Sequence, residues 1–182
     1  MNISTPKLKA ILRYFGTYTD KRLLGKVKLM KLFYFLDFIH VKKFGSPVTY
    51  DTYINLEHGP IPSAIKNLVD TADDDIDNSM LADTIKIEKI DDNDIHRVIV
   101  KKAFSENDKK YFSDSELEVL NIVCSRFAEN NARSIEEASH KDAPWKETKL
   151  LDVISYKLAA KDSDCQISEK EIEIALMIYG LC

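Results

Sequence analysis

The stretch that decides the fold is KLMKLFYFLDFIHVKKFGSPVTYDTYINLEHGPIP, residues 28–62. Its first half is apolar around most of a helical circumference, which predicts a central helix from about Lys26 to about Lys43. Gly45 is placed to end this helix, and Pro47 prevents its continuation. The apolar run is too short to span a bilayer, which takes about 20 apolar residues.

The second half of the stretch predicts extended backbone. Residues 48–56 alternate weakly and contain Tyr, Thr and Ile, which favour a strand. Residues 57–62 read EHGPIP and predict a rigid connector, because each proline fixes its own φ and pushes the preceding residue towards extended geometry. Pro62 or Ser63 then opens a third helix.

Local signals on both sides of this stretch predict the remaining elements. Hydrophobic spacing and capping residues indicate helices near residues 6–18, from Ser113 or Ser115, from Ser134, and from Ser168, whose Glu171 completes a capping box. Residues 85–90 and 95–100 are rich in β-branched side chains and flank an acidic turn at 91–94, which predicts a hairpin. We therefore expect one α+β domain over residues 1–182, mostly helical, with about six helices and a small antiparallel β-hairpin or sheet.

Composition places the chain among ordinary globular proteins. It has 182 residues, of which 45% are hydrophobic and 31% charged. A chain of this length buries enough surface for a core without disulfides. The three cysteines Cys124, Cys165 and Cys182 are odd in number and scattered, which favours a reducing compartment. The N-terminus has no signal-peptide pattern, so we expect a cytoplasmic protein that does not act at a membrane.

Charge is distributed unevenly along the chain. Residues 1–50 hold ten lysines and arginines against two acids, whereas the whole chain has a net charge of −4. Such asymmetry is typical of a face that meets an anionic partner. The alternative is that the basic helices pack against the acidic remainder and the charges compensate internally.

Motifs of metal, cofactor or nucleophilic chemistry are missing from the sequence. The four histidines and three cysteines do not occur at zinc-site spacing, and no glycine-rich phosphate loop or G-x-S-x-G turn is present. Asp73, Asp75 and Asp77 resemble the start of a calcium loop, but Asn78 and Thr84 stand where that loop needs Gly and Glu. We therefore expect no catalytic residue, no metal site and no cofactor, and we do not expect an enzyme.

Two polar residues inside apolar surroundings leave alternatives open. Asp37 lies in an apolar run where a bare carboxylate is costly, and His40 at i+3 could pair with it as an activated Asp–His dyad. The alternative is a structural polar contact. His58, before Gly59, is either a ligand-facing side chain or a residue that fixes the connector. Two interpretations also apply to His140 and Trp145: they either cover the core or contact a ligand.

A cluster of cations near the N-terminus raises the possibility of nucleic-acid binding. Five lie within eleven residues, Lys21, Arg22, Lys26, Lys28 and Lys31. Helices at 6–18 and 26–43 could form a helix–turn–helix, but the connection is long for one and the second helix is too apolar to enter a groove. A DNA-binding regulator is therefore the alternative function, and nucleic acid an unexpected partner.

Residues 28–62 resemble the Panacea domain of SocA-like antitoxins, which include phage-associated relatives. The resemblance rests on an ordered set of helix, G-x-P turn, Tyr and G-P-x-P, and a second block contains Ser113 through Leu120, Phe127, Ser139-His140 and Trp145. The two blocks span residues 24–146. The sequence departs from the family at Tyr50, where a small residue, commonly Gly, is frequent. The structural motif comprises Lys31, Tyr34, Asp37, His40, Gly45, Pro47, Gly59, Pro60 and Pro62.

The resemblance implies an antitoxin that neutralises a cognate toxin by direct protein–protein binding. In one branch of the family the protein acts as an adaptor that delivers its toxin to a protease. Glycine, proline and apolar core residues would build a shared scaffold, and toxin choice would lie on exposed surface, including the acidic loops at 73–77 and 91–94 and the basic patch at 21–31. The residues expected to contact the partner are Tyr50, Tyr53, His58, His140 and Trp145.

Overall fold

The computed structural model describes residues 3–90 and 95–180, and within them the chain is α+β with 53% of residues in helices. Six α-helices have eight or more residues. In chain order the helices are Thr5–Tyr18 (α1), Lys26–Phe44 (α2), Ser63–Asp74 (α3), Asp114–Phe127 (α4), Ala132–Ser139 (α5), the single turn Ala143–Lys146 (α6) and Glu169–Ile178 (α7). Two 3-10 helices, Glu106–Tyr111 and Tyr156–Lys161, complete the helical part.

Two small antiparallel sheets accompany the helices. The first contains Tyr53–Leu56 (β1), Gly59–Pro62 (β2) and Val153–Ile154 (β5) in the order β2-β1-β5. The second is the hairpin of Ile85–Ile90 (β3) and Ile95–Val100 (β4), which confirms the predicted pair of strands. The acidic turn predicted at residues 91–94 lies outside the described residues.

The segment predicted as one strand over 48–56 is wrong in its first half. Val48 and Thr49 donate their backbone amides to the carboxylate of Asp37, so those amides are not available for a ladder. The strand begins only at Tyr53. In the predicted connector at 57–62, residues 57 and 58 form a turn and Gly59–Pro62 form strand β2, which runs back along β1 with Gly59 at φ +89. Its two prolines are tolerated because β2 is an edge strand.

Helix α2 is the centre of the fold, as its composition predicts. Every side chain from Lys28 to Lys42 is buried. Helices α4 and α5, strand β2 and the 3-10 helix at 156–161 all pack against it. Gly45 ends it with φ +82, and its N–H donates to the carbonyl of Val41. The structure therefore confirms the predicted stop at this glycine.

The uneven charge is compensated inside the molecule. Cations of the first 50 residues reach acids in the later part of the chain: Lys7 pairs with Glu116, Lys9 with Asp83, Arg13 with Asp108, Lys26 with Asp70 and Asp73, and Lys43 with Glu118. Asp73, expected in an exposed acidic loop, lies in α3 and is turned towards Lys26. Of the two explanations for the asymmetry, internal packing of opposite charges accounts for these residues.

Lys42 joins α2 to the C-terminal part of the chain. Its buried amine lies 2.7 Å from Asp162, 3.1 Å from Asp164 and 3.9 Å from Asp142. Burial raises the pKa of Asp142 to about 6 although Lys42 acts in the opposite direction, and the hydroxyl of Tyr34 donates to the same carboxylate over 3.3 Å. The segment after residue 146 is thus tied into the core by charge.

The predicted capping residues are confirmed at two helices, and at a third the cap lies earlier in the chain. Ser113 and Ser168 cap α4 and α7, each in a complete capping box. The short helix predicted from Ser134 starts earlier, because the side chain of Asn131 accepts from the Ser134 amide. Among the helices of the described chain, none is both long and apolar enough to cross a membrane.

Candidate partner-binding surface

Asp37 is a polar centre in the core of the molecule. It is fully buried in α2, and its Oδ1 accepts from the amides of Val48 and Thr49, both over 2.8 Å. Its Oδ2 accepts from the hydroxyls of Thr49 and Tyr53, the latter over 2.9 Å. The hydroxyl of Tyr156 lies 3.2 Å from the same oxygen and 2.8 Å from the carbonyl oxygen of Asp51.

Burial raises the pKa of Asp37 to about 6, and the hydrogen bonds from Thr49, Tyr53 and Val48 act against that rise. His40 is not among its partners. The ring of His40 contacts the carbonyl of Ser46 through Nδ1 over 2.5 Å and the hydroxyl of Ser115 through Nε2 over 3.2 Å. The activated Asp–His pair considered from the sequence is therefore not formed, and the structural alternative applies to Asp37.

A second buried aspartate was missed by sequence reasoning. Asp51 follows the Asp37-bound segment and accepts from the amides of Ala64 over 3.1 Å and Ile65 over 2.8 Å. It thereby caps the N-terminus of α3, where Pro62 offers no side-chain acceptor. An acid 13 residues from the amide it caps leaves no local sequence signal.

Lys31 lies under the turn between β1 and β2. Its side chain is fully buried, and its Nζ donates to the carbonyl of Pro60 over 2.9 Å. Burial lowers its pKa to about 7, and the nearby charge of Glu136 acts in the opposite direction. A methyl group placed on Gly59 would lie 2.9 Å from this Nζ and 2.8 Å from Ser139 Oγ. Glycine at 59 thus lets the hairpin close over the lysine.

Three of the five expected partner-binding residues meet above Lys31. The rings of His140 and Trp145 stack with centroids 3.9 Å apart and planes at 17°. His58 is exposed and its Nδ1 lies 3.2 Å from Glu136 Oε1. His140 has a pKa lowered chiefly by burial, and its electrostatic neighbours include Glu136, Lys31 and His58. We call His58, Glu136, His140 and Trp145 the histidine–tryptophan surface.

Two leucines extend this surface and were missed by sequence reasoning. Asn55 of β1 donates through Nδ2 to the carbonyls of Trp145 and Thr148, and its own carbonyl accepts from the amide of Leu151 over 2.7 Å. The loop after α6 is therefore held beside the histidine–tryptophan surface. Leu150 and Leu151 on this loop are 60% and 71% exposed. The sequence signal that could have revealed them is the pair of adjacent leucines within an otherwise polar stretch.

The other two expected contact residues lie elsewhere. Tyr53 is fully buried and donates to Asp37, so its assignment to an exposed partner-binding surface is wrong. Tyr50 has φ +55, a conformation that glycine adopts easily and that explains why a small residue suits this position. Its ring packs on Tyr179 with centroids 4.6 Å apart.

The basic patch predicted at 21–31 is smaller than its composition suggests. Lys28 and Lys31 are fully buried, and Lys28 donates to the carbonyl of Ala128 over 2.8 Å. Lys26 is paired with Asp70 and Asp73. Helix α2, the second helix of the helix–turn–helix considered from the sequence, is buried from Lys28 to Lys42.

The surface combines an exposed histidine, a carboxylate and a stacked aromatic pair. His58, with its exposed ring, shares no contact with the buried Asp37 or with His40 in the described structure. Within residues 3–90 and 95–180, no group of three or more His, Cys, Asp or Glu side chains has the arrangement to hold a metal ion. A stacked aromatic pair with a polar rim and neighbouring exposed leucines is the composition of a protein-binding hot spot.

Fold and surface thus define a small helical α+β domain with a polar, buried centre and a mixed aromatic surface. Comparison with known families places it further: the description "Antitoxin SocA-like, Panacea domain" matches residues 29–146. The chain belongs to this family, and the resemblance seen in its sequence is confirmed. No curated protein and no solved structure matches the chain.

We predict that Gly59→Ala lowers the free energy of unfolding by about 3 kcal/mol or more, because a β-carbon adds a collision with Lys31 and Ser139 to the strain of positive φ. Gly45→Ala is the matched control. Its φ is also positive, but its β-carbon meets only Ile167 at an ordinary 3.5 Å, so about 1–2 kcal/mol is expected. Equal losses in urea unfolding would contradict the close approach at Gly59.

We predict that Asp37 makes stability depend on pH. A free aspartate titrates near 3.8 and the buried one near 6, so the folded state holds a proton between these values. The contribution of Asp37 is fully present below about pH 4 and is lost as the pH rises through 6, by up to about 3 kcal/mol. The unfolding free energy of the natural protein minus that of Asp37→Asn should fall accordingly between pH 4 and 8.

The control for this measurement is Asp75→Asn. Asp75 is exposed and hydrogen bonds from Asn78 lower its pKa below the ordinary 3.8, so it stays ionised above pH 4 and its contribution should stay constant between pH 4 and 8. A difference between the natural protein and Asp37→Asn that stays constant over this pH range would exclude the raised pKa.

Proposed function

We propose that this protein neutralises a cognate toxin by binding it directly through the histidine–tryptophan surface together with Leu150 and Leu151. Membership of the SocA-like antitoxin family supports a toxin as the partner. The structure supports the location, because all nine residues of the structural motif are buried, whereas His58, His140 and Trp145 from the two matching sequence blocks are at least partly exposed here. Binding of this kind requires no catalytic residue.

The observation that carries the proposal is that Leu151 is both exposed and held in a left-handed backbone conformation. A leucine that is 71% exposed contributes little to the core, yet this one is held at φ +70 by the bond from its amide to Asn55. Left-handed backbone costs a residue with a β-carbon roughly 1–2 kcal/mol. A strained backbone that holds an apolar side chain in solvent is explained if that side chain contacts a partner protein.

The position of the leucines also suits a role in choosing the toxin. The family match ends at residue 146, so the loop that carries them lies just outside the shared region. The stacked pair of His140 and Trp145 lies inside it. A surface built from both parts would combine a common aromatic anchor with a rim that differs between relatives.

We predict that Leu151→Gly separates binding from stability. Glycine relieves the positive φ, so the free energy of unfolding should stay unchanged or rise by up to about 1 kcal/mol. Loss of the leucine side chain from an interface should weaken toxin binding about 10-fold or more, since burying it is worth roughly 1.5–3 kcal/mol. Urea unfolding and titration against the toxin encoded beside this gene measure the two effects.

The control variant is Met80→Ala, which truncates an exposed apolar side chain in the turn between α3 and β3. It should leave toxin binding and rescue of growth unchanged. If co-expression with the toxin encoded beside this gene gives no rescue, the proposed function is lost. If rescue occurs and Leu151→Gly binds as tightly as the natural protein, only the proposed surface is excluded.

Measuring the toxin itself separates two modes of neutralisation. Blocking by occupancy leaves the amount of toxin in the cell unchanged when the antitoxin is present. Delivery to a protease, the mode of one branch of the family, lowers the amount of toxin, and the loss should disappear in a protease-deficient strain. Both modes require the same first contact.

A further inference from the structure

A groove on another face of the molecule has no role in the proposed function. It lies where the N-terminus of α2, the start of β4 and the N-terminus of α5 meet, and it encloses about 560 Å³. The histidine–tryptophan surface lies at the opposite, C-terminal end of α5. The eight residues of that helix span about 12 Å, so the two regions are neighbours but distinct.

The interior of the groove is apolar. Val27 and Ile95 line it and are 46% and 47% exposed, although both are β-branched hydrophobic residues that the core would accommodate. Leu23 and Ala132 add half-buried apolar surface. The volume is that of a pocket for one or two side chains of a bound chain and lies within the range of ordinary ligand sites.

The rim of the groove is cationic. Four cations line it, Arg22, Lys26, Arg97 and Arg133, and no carboxylate of the described residues does. Three of the four are paired at their outer ends, Arg22 with Asp20, Lys26 with Asp70 and Asp73, and Arg133 with Glu137.

Arg97 is the exception. Its Nε is buried without a hydrogen-bond partner, and within the described chain no carboxylate lies within ion-pair distance of its guanidinium. The side chain of Arg97 lines the groove, so an acidic ligand bound there would supply the ion-pair partner that the described chain does not. A bidentate carboxylate is the natural partner of a guanidinium.

The backbone adds to this preference for negative charge. Helix α2 starts at Gly25 with no side-chain cap and no acidic residue in its first turn. Gly25, Lys26 and Val27 line the groove, so the positive end of the helix dipole lies beside it.

We propose that this groove binds a segment of a partner polypeptide in which an acidic side chain neighbours an apolar one. The carboxylate would pair with Arg97 near the first turn of α2, and the apolar side chain would lie between Val27 and Ile95. A single-stranded nucleic acid fits less well, because no Phe, Tyr or Trp of the described residues lines the groove for bases to stack on. The proposal does not depend on the identity of a toxin.

Two end-capped, fluorescein-labelled hexapeptides test the proposal by fluorescence anisotropy at low salt. One alternates leucine with aspartate or glutamate, and the other replaces the acids with asparagine or glutamine. We expect the acidic peptide to bind the natural protein about 10-fold more tightly than the neutral one. Arg97→Gln should remove that preference while the circular dichroism spectrum is unchanged. Val27→Asp should abolish binding of both peptides.

Arg126→Gln is the matched control, since Arg126 is an exposed arginine on α4 that stacks on Phe35 and Phe127 outside the groove. It should bind both peptides like the natural protein. If Arg97→Gln does not fold, Arg133→Gln serves instead, because the side chain of Arg133 is 87% exposed. It should weaken binding of the acidic peptide at least 3-fold. Equal binding of the two peptides, no binding of either, or preference for a single-stranded oligonucleotide would each overturn the proposal.

Discussion

A carboxylate buried in the middle of α2 imposes its order on the rest of the molecule. Asp37 can remain in the core only if donors converge on it from several directions, since an ionised group without them would cost several kcal/mol. The chain supplies those donors from the loop after α2, from Tyr53 and from the later Tyr156. These bonds fix the point where β1 begins and place Asp51 where it caps α3. They also attach the C-terminal segment to the core through Tyr156.

The same arrangement explains why the family motif and the recognition surface are different things. The charged motif residues Lys31 and Asp37 are buried and hold loops to α2, and a ligand could not reach them without unfolding the hairpin above. The outer surface is assembled on top of this framework, where His140 and Trp145 stack and Leu151 is held out by Asn55. Because internal hydrogen bonds fix this framework, exposed residues around the surface can change while the fold stays the same.

Sequence reasoning succeeded where the cause of structure is local. Helix α2 follows from its own apolar circumference and from Gly45, and the caps of α4 and α7 follow from serines three residues before a glutamate. It failed where the partner is distant in the chain. Alternation could not show that the backbone amides of Val48 and Thr49 bond to Asp37, nor that Tyr53 faces inward. The hairpin at 57–62 was missed because prolines mask an edge strand, and the loop bearing Leu151 because its anchor lies 96 residues earlier.

The ion cluster of Lys42 has a consequence for how this protein can be cut and recombined. Two of the acids facing that ammonium, Asp162 and Asp164, lie beyond the end of the family match, as does Tyr156. A chimera that transplanted only residues 29–146 into another host would carry a positive charge in its interior with most of its counter-ions left behind. The stretch that matches the family therefore ends before two of the acids that neutralise a buried charge in this protein.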